Sequence, residues 1–135
     1  LRNYLKNLKK KKKGFTLIEL IIVLAILAVL GAIAIPNLMG VLTNSKNKAD
    51  IASEQTITNT VQALVTGGQI DTSLAAETFK LTDSATVSPG APSYQSDADA
   101  IKSALNPIPL PQADTTKHFQ ISIAATTGQV TVSQY

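Results

Sequence analysis

The sequence has 135 residues, enough for one modest domain and an appendage. Its net charge of +3 hides a division: residues 1–14 hold seven of the twelve basic side chains, and the remainder carries five lysines against nine acids. A mildly acidic body argues against nucleic-acid binding, and the absence of cysteine excludes a disulfide framework, a thiolate nucleophile and a Cys-based metal site.

The first segment, residues 1–14, is basic. Arg2, Lys6 and the run Lys9, Lys10, Lys11, Lys12 and Lys13 precede Gly14. An apolar run follows. No polar side chain occurs from Leu20 to Ile35, and no charge from Leu20 to Ser45. A membrane-spanning helix needs about 20 apolar residues. Phe15–Met39 supplies that length, with Glu19 as its one charge. The lysines lie immediately before the run and nothing comparable follows, so the positive-inside rule keeps the N-terminus in the cytoplasm and sends the rest outward. An ordinary secretory signal peptide has an apolar stretch of about 7–15 residues ending at a small-residue cleavage site. This run is longer, and the loose match Ala32-Ile33-Ala34 lies inside it.

After Pro36 the pattern becomes amphipathic. Leu38, Val41, Leu42, Ala49, Ala52, Ile57, Val61 and Leu64 fall roughly on one helical stripe. Gly67-Gly68 then stops the helix. The pattern predicts one helix from about Phe15 to Thr66, about 80 Å long at about 1.5 Å per residue. Pro36 removes a backbone donor within it, so a bend or an unwound turn is expected there. No compact domain of this size buries such a helix along its whole length. Its first half needs lipid, then neighbouring subunits.

Residues 69–116 are less regular. A short helix is expected within Asp71–Lys80, and Ser88-Pro89-Gly90-Ala91-Pro92 reads as loop. Ser96 is the expected N-cap of a helix over about Asp97–Leu105, and Pro107, Pro109 and Pro111 make an extended connector. His118–Ile123 and Gln129–Ser133 each alternate polar and apolar residues around Ala124–Gly128, which predicts a β-hairpin with Gly128 at positive φ. The hairpin's apolar face would cover the amphipathic half of the long helix. The three segments are thus a basic leader (1–14), a hydrophobic stem (15–43) and a soluble head (44–135).

The segment Lys12-Lys13-Gly14-Phe15-Thr16-Leu17-Ile18-Glu19, followed by a long apolar helix with Pro36 inside it, resembles the prepilin leader junction of type IV pilins and pseudopilins. The resemblance covers about Lys9–Gly40. It implies an α+β fold in which the long N-terminal helix, a transmembrane stem, packs on a small antiparallel β-sheet. It further implies that a prepilin peptidase cuts between Gly14 and Phe15 and methylates the new Phe15 amine. Lys12 and Lys13 belong to the leader it removes. Thr16, Glu19 and Pro36 are the matching positions for assembly. A carboxylate in hydrocarbon costs several kcal/mol unless paired. In the family's filaments Glu19 would pair with the Phe15 amine of a neighbouring subunit and set axial register.

Departures from the family matter too. No cysteine pair closes a C-terminal loop, as many Gram-negative pilins have. Asp97 and Asp99 read as acids at a helix N-terminus, with a calcium contribution of the pseudopilin kind as the alternative. His118, the single histidine, reads as a surface or edge residue. No cluster of acid, base and nucleophile is visible, so no enzyme activity, cofactor or metal site is expected. The expected function is a structural subunit of an extracellular type IV pilus, serving adhesion, surface motility or DNA uptake. Its expected partners are further copies in a helical filament, the prepilin peptidase, an assembly ATPase with its platform protein, and the lipid bilayer before assembly. Direct nucleic-acid binding is not expected. It would sit as a single pass in the cytoplasmic membrane and then in a cell-surface filament. Two alternatives stay open: a pseudopilin of a type II secretion or competence system, and a signal-anchored surface binding protein.

Overall fold

The structure, a computed structural model, describes residues 14–73, 76–83, 86–90 and 92–135. The elements are α1 (Leu17–Thr66), β1 (Glu77–Asp83), β2 (Thr86–Pro89), α2 (Gln95–Ala104), β3 (Phe119–Ile123) and β4 (Val130–Gln134). The chain divides into two compact units between Gly40 and Val41.

In the first unit, α1 exposes its apolar side chains, from Leu17 and Ile18 through Leu38 and Met39. By length and composition this helix is able to cross a membrane. Helical structure runs through Pro36 without interruption, so the expected unwound turn is absent. Proline deletes a single bond of the ladder, and flanking turns of a 50-residue helix hold the strand of bonds on either side. The Asn37 side-chain amide donates to the Ile33 carbonyl at 3.3 Å in the same region.

The second unit is an antiparallel sheet of order β2-β1-β3-β4 with helices on one face. Alternation selects the buried face. Phe79 and Leu81 of β1 and Phe119, Ile121 and Ile123 of β3 point inward, where Ile57 and Val61 of α1, Ala98 and Ile101 of α2 and its C-cap residue Leu105 meet them. The α2 residues recur at helical spacing, which places that stripe on the sheet. The outer face carries Lys80, whose ammonium lies 4.9 Å from the Tyr135 ring centroid. This is the expected α+β class: a long apolar helix and a small antiparallel sheet.

Edge strand β4 is tied to α1 by side-chain amides. Gln62 donates to the Gly128 carbonyl at 3.3 Å and accepts from the Val130 N–H at 3.4 Å. Gln134 donates to Asp50 and Glu54 at 3.5 and 3.4 Å. Asp50 is only 3% exposed. Its carboxylate accepts the backbone N–H groups of Gln112 and Ala113, the latter at 3.1 Å, and so staples the proline connector to α1. A buried carboxylate needs such charge-assisted donors to offset its lost hydration.

Several sequence expectations are corrected. Helix α1 begins at Leu17 rather than Phe15. Of its proposed stripe, Ile57 and Val61 are buried and Leu64 is half-buried, whereas Leu38, Val41, Leu42, Ala49 and Ala52 are exposed. The sheet ends level with Asp50, where Gln134 meets it, and covers nothing lower. Of the expected helix within Asp71–Lys80, residues 77–80 belong instead to β1, because Phe79 and Leu81 alternate with polar neighbours and pair with β3. Part of the expected loop Ser88–Pro92 is strand β2, with Pro89 at its end on the sheet edge, where a missing N–H is tolerated. Helix α2 starts at Gln95 with Tyr94 as N-cap. Ser96 lies inside it and donates toward Asp97 at 3.4 Å. The predicted hairpin is β3 and β4, and Gly128 has φ of 63°.

Candidate functional site

The apolar helix starts at a polar cap. Thr16 precedes the first helical residue and Glu19 lies three positions on, the spacing of a capping box. The Thr16 N–H and hydroxyl donate to one Glu19 carboxylate oxygen at 2.8 and 2.9 Å. In return the Glu19 N–H donates to the Thr16 hydroxyl at 3.3 Å. Two otherwise unsatisfied helix-start donors are thereby paired, and the carboxylate sits at the positive end of α1. Immediately before it, Phe15 is 84% exposed. Gly14 is exposed as well, and no atom lies within 4 Å of the place a Cβ would take. Neither packing nor backbone conformation demands glycine at that position.

Residues 9–35 match the family described as the prokaryotic N-terminal methylation motif. This segment is a pilin-type methylation motif. Similarity to a curated relative agrees: the chain is 44% identical over 43 residues to the type II secretion system core protein G of Dickeya chrysanthemi. That match covers 32% of this chain and 26% of the relative, so the chain spans about a quarter of the relative's length. No solved structure matches the chain. The methylation motif thus stands at the start of a helix long and apolar enough to cross a membrane.

The structure brings four of the sequence-derived site residues together at the motif: Gly14, Phe15, Thr16 and Glu19. Pro36 lies far along α1, one residue past the matched segment. Lys12 and Lys13 fall inside the motif but outside the described residues. The T-x-x-E spacing of Thr16 and Glu19 is the sequence signal of these hydrogen bonds, a role additional to that of an intramembrane charge. Asp97 and Asp99 part company. Asp97 is buried, while Asp99 is exposed and accepts from Gln95 at 3.1 Å. Among the described residues no three His, Cys, Asp or Glu side chains are grouped to hold a metal ion. His118 is half-buried; its backbone pairs with Tyr135 and its ring lies 5.8 Å from that tyrosine's ring.

Proposed function

We propose that the chain is a structural subunit of a type IV pilus filament, cut after Gly14 and assembled through its N-terminal helix. The observation that carries this is the uncovered apolar surface of α1 with a single acid one turn from Phe15. Such a surface has two successive solvents, the bilayer and then a bundle of identical helices. Removal of the leader converts a strongly basic end into one amine. A methylated Phe15 amine keeps its positive charge, and the Glu19 carboxylate of an adjoining copy offers it a partner. Pairing neutralises both charges where water is excluded, and it fixes the axial step between copies. The open surroundings of Gly14 support recognition of the junction from outside, since the fold itself makes no use of that glycine. The chain's own role is structural, with the peptidase, an assembly ATPase and a platform protein acting on it.

A second reading, a pseudopilin of a secretion or competence system, draws support from the secretion-system relative. The same helix would then build a short envelope-spanning filament. Mass spectrometry of the exported protein from its native host tests the shared step: the expected N-terminus is N-methyl-Phe15. An exported chain that retains Leu1–Gly14 overturns it. Electron microscopy with antibody to residues 69–135 separates the two readings. Labelled filaments longer than the envelope are expected for the pilus. Their absence, with loss of secretion or transformation on gene deletion, favours the pseudopilin.

A further inference from the structure

A polar pocket of about 280 Å³ opens beside the sheet, lined by Asp71, Glu77, Ser93, Tyr94, Ser96 and Asp97. Three of its six residues are acids and none is basic. Glu77 occupies an inward register position, opposite Ile123, and is 2% exposed. One of its carboxylate oxygens, Oε2, is buried with no hydrogen-bond partner. Asp97 is buried beside it on the first turn of α2. Asp71 stands at the third side, held by the Ser73 N–H at 2.9 Å. The charged groups facing Glu77 are thus Asp97 from α2 and Asp71 from the segment after α1. Two carboxyl groups of one sign in a buried site are costly, and a cation relieves them.

We infer that this pocket receives a lysine ammonium from a second copy of the chain. The inference rests on the filament reading above. An ammonium carries three N–H donors, and the pocket offers carboxylate and hydroxyl oxygens. The chain itself supplies the candidate donors. Once the leader is gone five lysines remain, and Lys80 is engaged with the Tyr135 ring. Lys46 and Lys48 are exposed on α1 below the sheet, in no ion pair among the described residues. They cannot reach their own pocket. Glu77 lies level with Ile123 and Val130, at the end of the sheet that meets Gln62. Lys46 and Lys48 are some four turns lower, about 20 Å along the helix. Basic and acidic patches at opposite ends of one unit make a heterologous contact, which propagates as an open helical array wherever its rotation does not close into a ring.

Zero-length carbodiimide coupling tests this on filaments sheared from the native host. The expected product is an amide joining Asp71, Glu77 or Asp97 to Lys46 or Lys48, present in filaments and absent from detergent-dispersed subunits. Filaments in which those acids stay uncoupled, or couple only to another protein, overturn the pocket assignment and leave the filament reading intact. Failure to recover any filament of this chain overturns both. A charge exchange is the second measure. The double variant Lys46→Glu, Lys48→Glu is expected to lower filament yield about tenfold, and adding the exposed Asp71→Lys change to restore most of it. No restoration overturns the proposal.

Discussion

Glu77 is buried because of register. Strand β1 alternates, and the positions that share Glu77's face hold Phe79 and Leu81. Register is set by the apolar pairs, and it carries the acid inward with them. Burial, then the neighbouring Asp97 charge and carboxyl, push the Glu77 carboxyl up to about 7. The folded chain therefore keeps a proton that the unfolded chain releases. Stability is greatest below the ordinary glutamate pKa and falls as pH rises toward 7, by at most about 1.4 kcal/mol per pH unit. It then levels off. Asp71 and Asp114 act in a different window: side-chain and backbone hydrogen bonds, from Ser73 and Thr116 respectively, hold their carboxyls below the usual range. The stability they add is lost only in stronger acid. Thermal melts of the detergent-dispersed chain between pH 5 and 8 should show a falling Tm that Glu77→Gln flattens, with the variant more stable than the parent at pH 8. A parental melting curve independent of pH over that range would show that Glu77 takes up no extra proton on folding.

At the scale of elements, the β3–β4 turn locks the hairpin onto α1. Gly128 has φ of 63°, and a Cβ there would stand 2.7 Å from a Val65 methyl carbon. The Gly128 carbonyl also accepts from Gln62. Glycine is required twice, by backbone and by packing. Gly128→Ala should cost about 1–3 kcal/mol, lowering the Tm of the dispersed chain by about 4–8 °C per kcal/mol lost. An unchanged Tm would mean that the turn does not bear on α1. Elements of this kind divide sharply by how far the sequence discloses them. Alternation in Phe119–Ile123 and Val130–Gln134, with Gly128 between, makes the hairpin readable, as an unbroken apolar run makes α1 readable. Strand β1 is weakly signalled, since Phe79 and Leu81 alternate with polar residues but are its only two apolar side chains, and pairing with β3 makes the strand. The lower stripe of α1 misled for the opposite reason. Val41 and Leu42 suit a buried face, but the sheet does not extend to them. In the candidate site, local spacing disclosed the junction. The Glu77–Asp97 pair joins positions 20 residues apart through tertiary contact, and no local pattern announces it.

The molecule as a whole combines two parts built for different surroundings. One part has its own core of Phe79, Phe119, Ile121 and their neighbours; the other exposes the apolar side chains of a long helix. The charge division follows the same line, with a basic stretch before the helix and an acidic body after it. Glu19 stands where the two demands meet, and the structure gives it two separable tasks. Its carboxylate closes the capping box with Thr16, a contact within one chain. Its charge is available to an amine on another chain. Glutamine keeps the first task and loses the second, because a capping box accepts Gln as well as Glu. Leucine loses both. Breaking a buried ion pair by removing one partner costs about 3–5 kcal/mol, whereas a lost cap costs about 1 kcal/mol. If the inter-chain pair governs assembly, Glu19→Gln and Glu19→Leu should both be inserted and cut after Gly14, and both should yield few filaments. If the cap governs it, Glu19→Gln should assemble normally and Thr16→Val should fail as badly as Glu19→Leu. The expected outcome is the first, read by immunoblot of sheared surface and membrane fractions. Parental filament yield from Glu19→Gln would remove the charge pairing from the mechanism and leave Glu19 as a helix cap.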